Sequence, residues 1–219
     1  MAYHVRVKIC GITNEADGLQ AARLGVDAIG LNFYPQSPRY VEPAVAEQVL
    51  RGLPPFVEAV GLFVNTPLRQ IAQTLRPLGR IQTVQCYGEP RELADPYPLR
   101  LIAAFNLRDR DGLLAIRRYL DLCRGLGHAP AAVLVDAAVP GQFGGTGHTA
   151  PWELLADFSP GVPLILAGGL TPENVAEAIR AVRPYAVDVA SGVESNPGRK
   201  DAEKMRRFLD AARAAAAGL

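Results

Sequence analysis

Two residues able to exchange protons with a substrate each stand at the end of a short apolar run. Cys10 closes VRVKIC, and Asp136 lies near the end of AAVLVDA. A carboxylate is costly to bury without a partner or a task, and apolar surroundings raise its pKa, so Asp136 fits a general acid. On an extended strand Lys8 and Cys10 share a face, and an ammonium beside a thiol favours the thiolate, which can accept a proton. The pair predicts acid–base chemistry on one substrate, although a turn aspartate and a small buried cysteine are the structural alternatives.

Glycines at the ends of two later runs are typical of an anion site. Gly168 and Gly169 end PLILAGG, and Ser191 and Gly192 end AVDVASG. Glycine lets backbone N–H groups turn toward a ligand, and the start of a following helix adds partial positive charge. These two loops therefore predict a phosphate site, whereas the alternative is that the glycines only terminate strands.

The elements that must position these residues alternate regularly along the chain. Eight β-branched runs of strand length start near residues 5, 28, 57, 81, 100, 131, 163 and 186, and most are separated by segments with helical spacing. Such alternation implies a parallel sheet with right-handed crossovers. Eight evenly distributed units in about 200 residues favour a closed (β/α)8 TIM barrel, built as one domain over residues 1–219, over an open doubly wound sheet. No GxGxxG follows the first run, which weakens the dinucleotide-binding alternative. Thr66 is expected to cap one helix, Thr171-Pro172 to open another, and residues 200 to 216 to form the last.

In such a barrel the functional residues lie at the carboxyl ends of the strands. The rule selects further polar residues at strand ends and in the loops that follow: Asn32, Arg39, Gln85 and Asn106. Arg39 has the planar guanidinium needed to hold a carboxylate. Strand parity also points Lys8 and Asp188 into the barrel from two strands that adjoin on closure, so we predict that they form an ion pair.

Composition narrows the class of protein. The formal net charge is +1, and the basic residues are scattered, so neither nucleic acid nor an acidic membrane surface is indicated as a partner. Three separated cysteines argue against a disulfide framework and a zinc site, and they suggest a reduced, cytoplasmic protein. The first residues lack the apolar stretch of a signal peptide, and no run approaches the ~20 apolar residues that span a bilayer.

The motifs resemble those of the phosphoribosylanthranilate isomerase family of tryptophan biosynthesis. The matching segments cover the whole chain in family order: KICGIT, GLNFYPQSPRYV, VGLFV, VDAAVPGQFGGTG, LAGGLTPENV and VDVASGVESNPGRKD. The resemblance implies an Amadori rearrangement of N-(5-phosphoribosyl)anthranilate, with Cys10 as general base and Asp136 as general acid. It also implies that the enzyme uses no cofactor or metal, takes a small-molecule substrate, and is a monomer or a homodimer.

The resemblance assigns binding roles as well. Arg39 would hold the anthranilate carboxylate, and Gln85 and Asp188 would belong to the substrate site. The phosphate would be held by residues of three loops: Gly145, Gly168, Gly169, Ser191 and Gly192. One departure is visible, because the family often has Gln-Leu-His-Gly where this chain has Gln85-Cys86-Tyr87-Gly88.

Two other functions remain open at this point. The related aminoaldose isomerase of histidine biosynthesis catalyses similar chemistry, but its resemblance would call for an aspartate where this chain has Cys10. A barrel that binds a phosphate ligand without catalysis would not need both Cys10 and Asp136 at strand ends.

Overall fold

A closed parallel barrel dominates the computed structural model, which describes residues 3–88, 99–136 and 152–219. Within these ranges eight strands are hydrogen-bonded in sequence order, and the last pairs with the first. This confirms the (β/α)8 fold. The strands are β1 (Arg6–Cys10), β2 (Ala28–Asn32), β3 (Glu58–Val64), β4 (Thr83–Tyr87), β5 (Arg100–Asn106), β6 (Ala132–Asp136), β7 (Leu164–Ala167) and β8 (Ala186–Val189).

Helices on the outside of the barrel connect most of these strands. Among the described residues they are α1 (Glu15–Arg23), α2 (Pro43–Gly52), α3 (Leu68–Leu75), α4 (Arg110–Gly125), α5 (Trp152–Leu155), α6 (Val175–Val182) and α7 (Ala202–Ala217). After β8 the chain makes a 3₁₀ turn over Ser191–Val193 and a small hairpin of β9 (Glu194–Asn196) and β10 (Arg199–Lys200) before α7. No helix in the described ranges is long and apolar enough to cross a membrane.

Two predicted helix starts were wrong. The Thr66 hydroxyl donates to the Val64 carbonyl at 3.0 Å instead of capping α3, whose N-cap is Pro67. The Thr171-Pro172 pair forms a turn, and α6 begins three residues later than Pro172, at Val175. Local side-chain hydrogen bonds competed with helix initiation at both sites.

The barrel wall separates an outer apolar layer from a mixed interior. Strand alternation sends Val7 and Ile9 outward, where they pack in the large core between strands and helices, and it sends Lys8 inward. The lower interior is filled by a smaller apolar cluster that includes Val60, Ile102, Leu134 and Ile165. The polar residues therefore stand above this apolar plug, toward the carboxyl ends of the strands.

Candidate active site

A cavity of about 440 Å³ opens at the carboxyl ends of the strands. Cys10 and Asp136 both line it, although their strands are separated by β7 and β8. Other lining residues come from nearly every sector of the barrel: Asn32, Arg39, Gln85, Tyr87, Gly168, Gly169, Asp188 and Ser191. The structure thus brings most of the predicted site residues around one space. Gly145 lies outside the described residues.

Cys10 is buried at the end of β1, directly beside β2. Gly30 is its register partner, and a Cβ added at Gly30 would stand 2.7 Å from the Cys10 sulfur. Burial raises the pKa of the Cys10 thiol, whereas Lys8 lowers it and Asp188 raises it further. The predicted effect of Lys8 is therefore present, but burial outweighs it, so the neutral thiol is favoured over the thiolate.

A buried polar group of three residues lies below Cys10. Lys8 Nζ donates to Asp188 Oδ1 at 2.9 Å and to Gln85 Oε1 at 2.9 Å. This confirms the ion pair predicted from strand parity. Burial alone would lower the pKa of Lys8, but Asp188 and Cys10 together raise it. Lys8 therefore stays protonated in the barrel interior, which keeps both Asp188 and Gln85 hydrogen-bonded.

Asp136 ends β6 on the far side of the cavity. Its Cα pairs in register with that of Asn106, and its carbonyl accepts a hydrogen bond from Leu107 N at 2.8 Å. These contacts fix the backbone that carries the carboxyl group. The side chain is half-buried and faces the cavity from β6 while Cys10 faces it from β1. An acid and a base that act on different atoms of one substrate need such a separation.

Arg39 is held in place by a residue that the sequence reasoning did not single out. Its Nε donates to Glu194 Oε1 at 2.8 Å, and its Nη2 donates to Glu194 Oε2 at 2.7 Å. Lys200 Nζ also donates to Glu194 Oε1, at 2.8 Å. Burial acts to raise the pKa of Glu194, but the hydrogen bonds from Arg39 and Lys200 outweigh it and hold the pKa below its usual value. The motif VESNPGRK contains both Glu194 and Lys200, but no periodicity in it pointed to Glu194.

The loop after β2 is also braced from within. Asn32 Nδ2 donates to Ser37 Oγ at 3.0 Å, and Arg39 N donates to the same oxygen at 3.1 Å. Asn32 Oδ1 accepts from Tyr34 N at 2.9 Å. Asn32, selected by sequence as a strand-end residue, thus shapes the loop that carries Arg39.

The two glycine loops meet at the rim of the cavity. Gly168 and Gly169 have φ angles of 93° and 63°, a backbone conformation that residues other than glycine rarely adopt. Asn174 Nδ2 donates to the Gly169 carbonyl at 2.9 Å and closes this turn. Gly192 stands so close to the Leu170 carbonyl that an added Cβ would clash with it, at well under 3.0 Å. The loops after β7 and β8 are therefore packed together, as a shared anion site requires.

The barrel and its cavity define the class first: a (β/α)8-barrel enzyme with its site at the carboxyl ends of the strands. The particular family follows from comparison. Residues 7–211 match the family model described as N-(5'-phosphoribosyl)anthranilate (PRA) isomerase, and the chain belongs to this family. As a member it is an isomerase of tryptophan biosynthesis, which confirms the family predicted from the motifs and decides against both alternatives.

Similar proteins agree over nearly the full length. An N-(5'-phosphoribosyl)anthranilate isomerase of Geobacter metallireducens is 48% identical over 211 residues, which are 96% of this chain and 100% of the relative. The crystal structure of phosphoribosylanthranilate isomerase from Thermotoga maritima is 38% identical, with a TM-score of 0.84, and the match covers 96% of this chain and 100% of the other.

Two further solved structures bear on ligand and assembly. One, an isomerase in complex with reduced 1-(o-carboxyphenylamino)-1-deoxyribulose 5-phosphate, is 36% identical with a TM-score of 0.82 over 96% of this chain and 100% of the other. The other, of monomers derived from the dimeric isomerase of Thermotoga maritima, is 34% identical with a TM-score of 0.80 and the same coverage.

Proposed function

We propose that Cys10 and Asp136 convert N-(5'-phosphoribosyl)anthranilate to 1-(2-carboxyphenylamino)-1-deoxyribulose 5-phosphate by general acid–base catalysis. Asp136, as the acid, protonates the furanose ring oxygen. The bond from C1 to that oxygen breaks while the nitrogen lone pair forms a C1=N double bond. The thiolate of Cys10 then takes the proton from C2, the C–H electrons form a C1=C2 double bond, and the π electrons of the C1=N bond return to nitrogen. The resulting enolamine tautomerises to the ketone.

The other cavity residues hold the substrate in this proposal. Arg39 binds the anthranilate carboxylate, since its guanidinium matches a carboxylate in shape and charge. Backbone amides around Gly168, Gly169 and Ser191 bind the phosphate, with Gly192 keeping the two loops together. Asp188 and Gln85 act at the floor of the cavity, where they are hydrogen-bonded to Lys8.

The observation that carries the proposal is the shared cavity of Cys10 and Asp136. A single space of about 440 Å³ is lined by both residues, with the glycine loops at its rim. Its volume lies in the range of small-molecule sites, and its thiol and carboxyl group approach it from separate strands. A two-site proton transfer requires that both groups be held close to one bound substrate.

The proposal is tested with a fluorescence assay of phosphoribosylanthranilate consumption. Cys10→Ser and Asp136→Asn are each expected to lower kcat by about 10²–10⁴-fold, because each removes one proton-transfer group. Cys123→Ala is the matched control, since that cysteine is buried in α4, away from the cavity, and its loss should leave kcat unchanged. Wild-type kcat in either active-site variant would overturn the assignment.

Further features support proposals on the assembly and the location of the protein. Of the two states left open by the sequence, we propose a homodimer, supported by the dimeric relative and by Phe56, which is 96% exposed at the opposite end of the barrel.

A cytoplasmic location is supported by the three cysteines, which are all unpaired.

A further inference from the structure

Glu194 is a buried carboxylate that accepts three hydrogen bonds from two basic side chains. It lies in β9, just after the 3₁₀ turn that follows β8, and only 5% of its side chain is exposed. Arg39 contacts both of its oxygens, and the fully buried Lys200 contacts one of them. Lys200 is anchored in turn by the Ala190 carbonyl at 3.1 Å. Glu194 is therefore itself fixed, and it can fix Arg39.

The contact with Glu194 uses one particular edge of the Arg39 guanidinium. A guanidinium has five N–H donors in a plane, arranged as a side edge, formed by Nε and one Nη, and an end edge, formed by the two Nη atoms. Glu194 occupies the side edge through Nε and Nη2. Among residues 3–88, 99–136 and 152–219 no contact occupies the end edge, so it is available for a second carboxylate, and Arg39 lines the cavity.

The stem of Arg39 is fixed as well. A Cβ added at Gly11 would stand 2.5 Å from Arg39 Cδ, so the stem runs against the backbone immediately after Cys10. Gly11 also has a φ of 75°, which glycine adopts without strain. Contacts at both stem and head thus leave the guanidinium little freedom, and the entropy lost on binding a ligand is correspondingly small.

The charges of the cluster favour an anionic ligand. Arg39 and Lys200 contribute two positive charges and Glu194 one negative charge, so the three groups carry a net charge of +1. An Arg39–Glu194 pair alone would be neutral and would attract a carboxylate weakly. Lys200 restores a positive charge without competing for the cavity, because its side chain is fully buried. One incoming carboxylate would neutralise the cluster.

We propose that Glu194 is a positioning residue, which holds the side edge of Arg39 so that the end edge binds the substrate carboxylate. Lys200 fixes Glu194 and keeps the cluster positive. The inference rests on the proposed function, in which Arg39 binds that carboxylate. It adds a residue that touches no substrate atom and that acts through Arg39 alone.

The test compares two ligands that differ in the carboxylate only. Calorimetry measures the Kd of reduced 1-(2-carboxyphenylamino)-1-deoxyribulose 5-phosphate and of the matching phenylamino compound without the carboxylate. In the wild-type protein the carboxylate is expected to contribute about 10–100-fold in affinity. Glu194→Gln should reduce this preference by about tenfold, because an amide cannot accept both Arg39 donors, while affinity for the second ligand stays unchanged.

The sign of the effect separates positioning from charge. Glu194→Gln makes the cluster more positive, so a purely electrostatic role predicts a stronger carboxylate preference, and an increased or unchanged preference overturns the proposal. In steady-state assays the same variant should raise KM with little change in kcat, since the lost contact acts in ground and transition states alike. Glu47→Gln, which breaks an exposed ion pair with Arg51 on α2, is the matched control and should change neither quantity.

Two measurements keep the inference testable if Glu194→Gln does not fold. Glu194→Asp keeps the charge but shortens the side chain, so it should also weaken the carboxylate preference. A crystal structure of the wild-type protein with the carboxylate ligand should show Nε of Arg39 still on Glu194 and the carboxylate on the two Nη atoms; a ligand that displaces Glu194 would refute the proposal. If Arg39→Met keeps the wild-type preference, the carboxylate role of Arg39 fails, independently of Glu194.

Discussion

At the scale of single residues, Cys10 combines a base role with surroundings that oppose its ionisation. Burial raises the pKa of the thiol, and Asp188 adds to this effect, whereas Lys8 and Lys200 lower it. The net shift is upward, so the thiolate is the minor form near neutral pH and becomes more populated as the pH rises. The contribution of Cys10 to activity must follow the same direction.

The pH dependence of kcat/KM tests this reasoning. Both proteins need a protonated Asp136, so the ratio of wild-type kcat/KM to that of Cys10→Asp isolates the ionisation of the thiol. Cys10→Asp replaces the thiol by a group that ionises at much lower pH, so this ratio should rise by about tenfold per pH unit between about pH 7 and 8.5, where the thiol is mostly protonated. Parallel slopes for the two proteins would show that another group controls the wild-type profile.

At the scale of secondary structure elements, the pair of β1 and β2 makes room for the sulfur. Gly30 lies opposite Cys10 in the register, and any side chain there would occupy the space of the thiol, at 2.7 Å. The register of β1 and β8 places Lys8 opposite Asp188, and both charges act on the thiol. Neighbouring strands therefore set both the position and the electrostatic environment of Cys10.

Gly30→Ala is expected to displace the Cys10 sulfur and to lower kcat by about 10²-fold, because a misplaced reactive group loses most of its advantage. Thermal unfolding should show a loss of about 1–3 kcal/mol from overpacking. Gly79→Ala is the control, since nothing lies within 4 Å of the added methyl group, and it should keep wild-type kcat. Equal kcat in both variants would contradict the steric argument.

Regular elements explain which parts of the site could be predicted from sequence. Strand alternation and barrel closure sufficed to predict that Cys10 and Asp136 face one cavity and that Lys8 pairs with Asp188. Side chains on a strand alternate with a fixed period of two, so their direction can be read from sequence. Glu194 was missed because it lies in a short hairpin, where no period relates sequence to direction. The start of α6 was missed for a similar reason, since the hydrogen bond from Thr171 N to Asn174 Oδ1 at 2.8 Å forms a local turn.

At the scale of the whole molecule, the end of the barrel opposite the active site carries a second cavity. It measures about 430 Å³ and is lined by the first residues of several strands, with an apolar floor that includes Val60, Ile102 and Ile165. Phe56, in the loop between α2 and β3, lies at its edge with 96% of its surface exposed. The proposed homodimer would cover this ring and the apolar floor beside it.

Light scattering coupled to gel filtration tests the proposed homodimer. The wild-type chain should elute at twice the mass of 23.5 kDa, and Phe56→Ser should shift it toward the monomer, because the exposed ring would lose its apolar contact. Leu122→Ser, on α4, is the control for loss of an exposed apolar residue and should leave the mass unchanged. A wild-type protein that remains monomeric at high micromolar concentration would exclude the dimer.

The hairpin of β9 and β10 ties the last unit of the barrel to α1 and to the loops after β1 and β2. Gly198 accepts a hydrogen bond from the Thr13 hydroxyl at 2.6 Å, and Lys200 N donates to Asp17 Oδ2 at 2.9 Å, while Glu194 holds Arg39. On a translating ribosome Arg39 emerges long before Glu194 and Lys200, the residues that hold its side chain. Arg39 therefore gains its fixed position only after synthesis has passed Lys200.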